Sequence, residues 1–340
     1  MAAEELLPAP ASLAVVRPRR QSTASWPLVD RASYLLCWAA GIGLCVIAVA
    51  IVVFMLVKGI SYLRPSLFVQ SPAPEIQQSR SGGFFDPIMG TLIVTGVGIL
   101  IAGPIGVALA AWLSEYGRPP QLARAVESAI EVIAGVPSVV LAIFGLLVFS
   151  QSFLGFLSQN AANGAVTGQS FLITGAIMAL LALPLVVGAV REGLAQVPDR
   201  MREASYALGK TRARTIRRVL LPAIRPNIAG GLVLGMGRII GDTAIVLILL
   251  GLSVTKTEPV GGVPVVGTLR GTGSTLTSYV YYNSPAGEGN AHEKAYAAAF
   301  VLLMIVLALN FAVTRITGEH GRESGRRLRL PRPLRSAWSG

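Results

Sequence analysis

Apolar residues in this chain gather in long unbroken runs and do not alternate with polar ones at a strand or amphipathic-helix period. Six runs stand out, at 33–57, 88–113, 129–149, 171–190, 227–252 and 295–314. Each is about 20 residues or longer, the length an α-helix needs to cross hydrocarbon. A soluble core of equal apolarity would show faces, with polar residues returning every three or four positions. The pattern predicts an all-α membrane protein with six transmembrane helices. Residues 1–32, rich in proline and alanine, read as a disordered tail. They open with acids and lead into a run too long for a signal-peptide core, so no cleaved signal is expected. The span at 33–60 reads as an additional anchor ahead of a core over 88–314, and 315–340 as a basic tail.

Composition agrees with this reading. Apolar residues make up 53% of the chain, charged residues 14%, and mean hydropathy is +0.62; soluble domains carry about 25% charged residues. A net charge of +12 invites a nucleic-acid partner, but its distribution removes the need for one. With both termini placed in the cytoplasm, 22 of the 29 lysines and arginines fall on that side. They lie in the two tails, in the loop after span two and above all between spans four and five. That bias is the positive-inside signature of a multi-pass protein. A bacterial plasma (inner) membrane location follows as the expectation, with membrane lipid as a partner and no nucleic acid. Cys37 and Cys45 share the first span and read as packing thiols.

Span five carries two charges. Arg238 stands eleven residues past the start of its run, about 17 Å along a helix axis and near the bilayer centre, and Asp242 follows at i+4. Charge at that depth costs about 2.5–3.5 kcal/mol on insertion scales. Two readings stand: the pair neutralises itself or ties span five to a neighbour, or it lines a wet passage where Arg238 meets an anion. Gly230, Gly231, Gly235, Gly237 and Gly241 crowd the same helix, a spacing that admits close helix approach and a subunit seam.

Between spans four and five lies EASYALGKTRARTIRRVLLP, residues 203–222. Its Gly209-Lys210-Thr211 imitates the end of a phosphate-binding loop. The glycine that such a loop needs five positions earlier is Ala204, and no strand precedes it. This chain is therefore not expected to hydrolyse ATP. The stretch instead resembles the EAA loop of ABC importer permeases: Glu203-Ala204, then Gly209, then Val219-Leu220-Leu221-Pro222, with Ser205 and Val219 as mild departures. In that family the loop, here 199–222, is a helical knob seated on an ATPase subunit. The resemblance implies a type I ABC importer permease fold with cytoplasmic coupling helices. It puts Glu203 and Ala204 at the ATPase contact and Gly209 in the turn. Tyr206 and Leu208 are read as filling the cleft, and Pro222 as breaking the chain before the next span.

Further stretches at 90–117, 135–149 and 197–244, with ALN at 308–310, resemble the PstA-type branch of phosphate importer permeases. The resemblance implies a heterodimer with a PstC-type permease, a PstB-type ATPase dimer holding ATP and Mg, a PstS-type phosphate-binding protein, and inorganic phosphate as cargo. No cofactor is expected on this chain. The implied function is half of the translocation pathway of an ATP-driven phosphate importer. The alternatives are a PstC-type role, a permease for molybdate or sulfate, or a phosphate-responsive sensor or scaffold. Two departures matter. Gly241-Asp242-Thr243 replaces a G-E-T segment, one methylene shorter. Gly188 stands where many PstA-type chains have an arginine, the first cation being Arg191 one turn later, so Arg191 joins Arg238 and Asp242 as a pathway candidate.

The remaining motifs add little. His292 and His320 have no partner spacing for metal or acid–base work, and neither H-E-x-x-H nor G-x-S-x-G occurs. Pro104, Pro137 and Pro184 are expected to kink helices. In the outer loop 253–294, Tyr279, Tyr281 and Tyr282 read as an interfacial aromatic belt, with docking of a binding protein as the alternative.

Overall fold

Glycine and alanine set how closely the three central helices approach, and these helices carry the rest. In a computed structural model, residues 27–60, 62–72, 82–158, 166–251, 268–285, 287 and 291–326 are described, with side chains to 315. Helix α1 is Leu28–Gly59, α2 Phe85–Ala111, α3 Pro120–Gly135, α4 Ser138–Phe149 and α5 Phe171–Ala195. Then follow α6 Asp199–Ala207, α7 Arg212–Thr215, α8 Leu221–Ala223, α9 Arg225–Gly241, α10 Ala244–Leu249, α11 Leu276–Asn283 and α12 His292–Arg326. The chain divides into two units, residues 1–53 and 54–340. Within the first, the described residues form a single helix whose side chains are nearly all exposed.

In the second unit α2, α5 and α9 pack on one another. Gly106 lies against Val186, where a Cβ would come within 2.7 Å of Cγ1, and Gly175 lies against Val97 at 2.5 Å. Side chains at these points would push the helices apart. Val94, Ile177, Met178, Ile239, Ile245 and Leu249 fill one end of the resulting core. Val186, Val190, Leu194 and Leu220 fill the other. A third cluster under α11 and the start of α12 holds Phe84, Leu276 and Tyr279.

Helix ends follow local chemistry. Ser170 accepts from the Ile173 amide to start α5. Thr275 and Ser278 form a reciprocal capping box that starts α11, satisfying amides that a first turn leaves open.

Two of the expected spans are not single helices. Residues 129–149 divide between α3 and α4, which meet at 106°. Pro137 explains the break: it removes an amide and forces Val136 into extended backbone, φ −72° and ψ 130°. α3 is amphipathic and charged; α4 alone is about 18 Å long, short of a bilayer crossing. Residues 227–252 divide as well, because α9 ends at Gly241 and Asp242 is extended, φ −85° and ψ 120°. α1, α2 with the turn to Tyr116, α5 and α12 to Arg315 are each long and apolar enough to cross a membrane. Counting each bent pair, α3 with α4 and α7–α8 with α9, gives up to six such spans among the described residues. The protein is an all-α, multi-pass membrane protein.

Smaller differences concern the ends and the loops. α1 begins at Leu28, and α12 carries the helix beyond 314 to Arg326. Residues 276–283 of the expected outer loop are helical, while 252–267 lie outside the described residues. Pro104 and Pro184 sit inside helices that continue through them.

Candidate functional site

The loop at 199–222 is a helical knob, and its sequence explains its shape. α6 runs to Ala207, and Gly209 then turns the chain with φ +68°, a conformation glycine adopts without strain. The Lys210 amide bonds back to the Ser205 carbonyl at 3.2 Å, and Thr211 caps α7 by accepting from Arg214. The hydroxyls of Ser205 and Thr215, both buried, meet at 2.8 Å and join the two arms. Ser205 looked like a mild departure from alanine; its hydroxyl is the internal tie of the knob. Glu203, Ala204, Tyr206 and Leu208 lie on the exposed surface, Leu208 at 77%. Pro222 sits within α8, and the chain bends by 73° two residues later, at Ile224 ahead of Pro226.

What holds the knob to the helices is Arg202. Its Nε donates to Glu115 Oε1 at 3.0 Å, and its Nη1 donates to the Val197 carbonyl at 2.8 Å and Asp199 Oδ1 at 3.0 Å. Nη2 donates to the Leu194 carbonyl at 2.9 Å. One guanidinium thus joins α6 to the ends of α2 and α5, and the Glu115 side chain beneath it is only 7% exposed. Arg212 adds a bond to the Glu115 carbonyl at 2.9 Å and stacks over the Tyr116 ring. The acceptors lie on a π-helical turn, Trp112–Tyr116, closing at Gly117 with φ +38°. Neither Glu115 nor Arg202 stood out in the sequence, where both look like ordinary charges near a membrane surface.

Arg238 has the opposite surroundings. α9 presents two faces. Gly231 and Gly235 press on α5 at Val186, while Gly230, Gly237 and Gly241 have no neighbour within 4 Å of a built Cβ. Arg238 and Leu234 are exposed on that open face. The expected i,i+4 ion pair does not form: Asp242 is buried, and its Oδ1 accepts the Ile245 amide at 3.0 Å to start α10. The helix stops at Gly241, so the two residues no longer share a face. Asp242 is a cap here.

Arg191 lies elsewhere. It pairs with Glu127 of α3 at 2.6 Å, near where Gly193 packs on Asn227. Asn227 precedes Arg238 by eleven residues of α9, about 17 Å along the helix axis, so Arg191 and Arg238 lie at different depths. Gly188 faces open space. The structure therefore brings Glu203 through Gly209 together on one knob and sets Arg191, Arg238 and Asp242 in three separate environments. Tyr279, expected at a membrane interface, is 5% exposed and edge-on to Phe84 at 5.5 Å, while Tyr281 is exposed.

Knob, bent spans and glycine-packed helices define a permease architecture, and residues 102–318 match the family model described as the inner membrane component of binding-protein-dependent transport systems. The chain belongs to that family. Its fold is that of type I ABC importer permeases. A chain of a bacterial alginate ABC transporter superposes with a TM-score of 0.58 over 84% of this chain and 94% of its own, at 18% identity. The phosphate transport system permease protein PstA 1 of Mycobacterium tuberculosis (strain CDC 1551 / Oshkosh) is 34% identical over 243 residues, 71% of this chain and 72% of its own. The permease protein PstA of Haemophilus influenzae is 31% identical over 271 residues, 78% and 85% respectively. A PstC from the same organism is 31% identical over 182 residues, half of this chain.

Proposed function

We propose that this chain is a PstA-type permease subunit of an ATP-driven inorganic phosphate importer, forming half of the pathway with a PstC-type permease. The observation that carries the reading is the similarity to PstA proteins over more than two thirds of the chain, together with an intact knob whose apolar tip is uncovered. The knob would seat on a PstB-type ATPase dimer holding ATP and Mg, and hydrolysis would belong to that partner. A PstS-type protein would deliver phosphate on the opposite side, and both termini would be cytoplasmic. Because α2 and α5 end on the same arginine as α6, a push on the knob moves both helices together.

Arg238 is the pathway residue in this reading. A guanidinium presents paired donors that match two phosphate oxygens. On the open face of α9 its partner is either an anion or the neighbouring permease, and glycines on that face let either come close. Arg191 would serve as a charge near the inner end. Purified complex reconstituted in vesicles tests the proposal: ATP-dependent uptake of labelled phosphate is expected, with sulfate and molybdate failing to compete. Uptake of one of those oxyanions in preference to phosphate would overturn the assignment.

A further inference from the structure

At the end of α5 away from the knob, the segment 268–271 reaches the turn that follows α4. The Gly271 carbonyl accepts from the Phe171 amide at 3.0 Å, and Arg270 Nη2 donates to the Ser158 carbonyl at 3.3 Å. Among the described residues that is the single hydrogen bond of the Arg270 side chain. Its Nε is buried with no acceptor, and so is the Ser158 hydroxyl, on a residue that is 0% exposed. No carboxylate among the described residues pairs with Arg270. Buried donors left unmatched are uncommon in folded proteins, and each costs about 1–3 kcal/mol. Here one belongs to a half-buried guanidinium and the other to the residue whose carbonyl holds that guanidinium in place.

We propose that Arg270 and Ser158 form a binding site for a phosphate group at the end of the bundle opposite the knob. A tetrahedral oxyanion supplies what both donors lack: one oxygen for the guanidinium edge, another for the hydroxyl, and negative charge for an arginine with no counter-ion among the described residues. The part of Arg270 left exposed gives the group its route in. The site is separate from Arg238 and does not depend on the pathway assigned to it. Free inorganic phosphate and a phospholipid headgroup present the same chemistry, and the experiment separates them.

The full chain carrying Arg238→Gln, purified with its co-purifying partners in lipid-free detergent, is titrated with inorganic phosphate and followed by thermal unfolding. Phosphate is expected to raise the Tm with saturation. Ser158→Ala keeps the main-chain acceptor of Arg270 and removes only the orphan hydroxyl, and it should weaken the apparent Kd about 10- to 100-fold, the share of one hydrogen bond to a charged group. Arg270→Gln should abolish the saturable shift. A parallel series titrates phosphatidylglycerol; an S158A-sensitive shift with the lipid alone upholds the site and gives it to the headgroup. A hydroxyl that merely packs predicts the reverse sign: S158A leaves both titrations unchanged and holds or raises the basal Tm. That result overturns the proposal. Because every sample already lacks Arg238, failure here leaves the pathway reading untouched, and normal uptake by R238Q leaves this site untouched.

Discussion

Arg202 and Arg238 belong to the same chain and differ in every surrounding. Arg202 spends its donors on Glu115, Val197, Asp199 and Leu194 and is closed off by them. Arg238 has no ion pair among the described residues and lies on a face lined by glycines with no neighbour close to them. A saturated arginine is a structural joint, since any motion that parts its acceptors loses several charge-assisted bonds at once. An arginine without a partner among the described residues has its donors open to a group from outside the chain. In the function proposed above, the contrast separates the part of the molecule that would transmit force from the part that would meet cargo.

The sharpest way to break this contrast is at Arg238. Arg238→Gln should reduce phosphate uptake at least 100-fold while the complex still co-purifies; uptake at the normal rate would mean that the open face is not the pathway. Next in size is the joint. Arg202→Gln strands the nearly buried Glu115 carboxylate, a loss of about 3–5 kcal/mol for an uncompensated buried charge. It should lower phosphate moved per ATP hydrolysed about tenfold. Adding Glu115→Gln to that variant should recover part of the stability, since the stranded charge is gone; a double variant less stable than R202Q would show that Glu115 has another partner.

Gly209→Val tests the turn. A Cβ at Gly209 meets nothing within 4 Å, so the penalty is the left-handed backbone alone, about 1–2 kcal/mol. ATPase co-purification should drop with valine and survive with asparagine, which tolerates that conformation. Equal binding by both variants would remove the turn from the coupling contact. Ser205→Ala leaves the buried Thr215 hydroxyl without its partner and should destabilise the knob by about 1 kcal/mol, read as faster local hydrogen exchange over 203–215.

The smallest effect lies outside the spans. Burial pushes the Tyr279 phenol up to about 12 from 10.0. Its contribution is therefore whole below pH 10 and is lost as pH rises from 10 to 12, through the folded value. A melting series should show a steeper fall over that window in the native chain than in Tyr279→Phe, and parallel curves would place the ring in water.

Much of the knob was readable because its chemistry is local. Glu203-Ala204, Gly209 and Pro222 lie within twenty residues, and a left-handed turn selects glycine wherever it occurs. The breaks in the spans were harder. Pro137 was visible as a proline, but hydropathy reports only that a run is apolar, and the run continues through the 106° bend. Asp242 was misjudged as the partner of Arg238 because i+4 proximity presumes that the helix continues, and its own carboxylate helps to start a new one.

The sequence by itself determined that the chain is a bundle of membrane helices with a basic, turn-centred loop on one side, because run length and charge bias are one-dimensional quantities set by the bilayer. Tertiary structure alone decided which polar groups are partners. Glu115 meets Arg202 across 87 positions, Glu127 meets Arg191 across 64, and Ser158 meets Arg270 across 112. Pairing in space depends on where helices end and how closely glycines let them pack, and neither spacing nor composition carries that information.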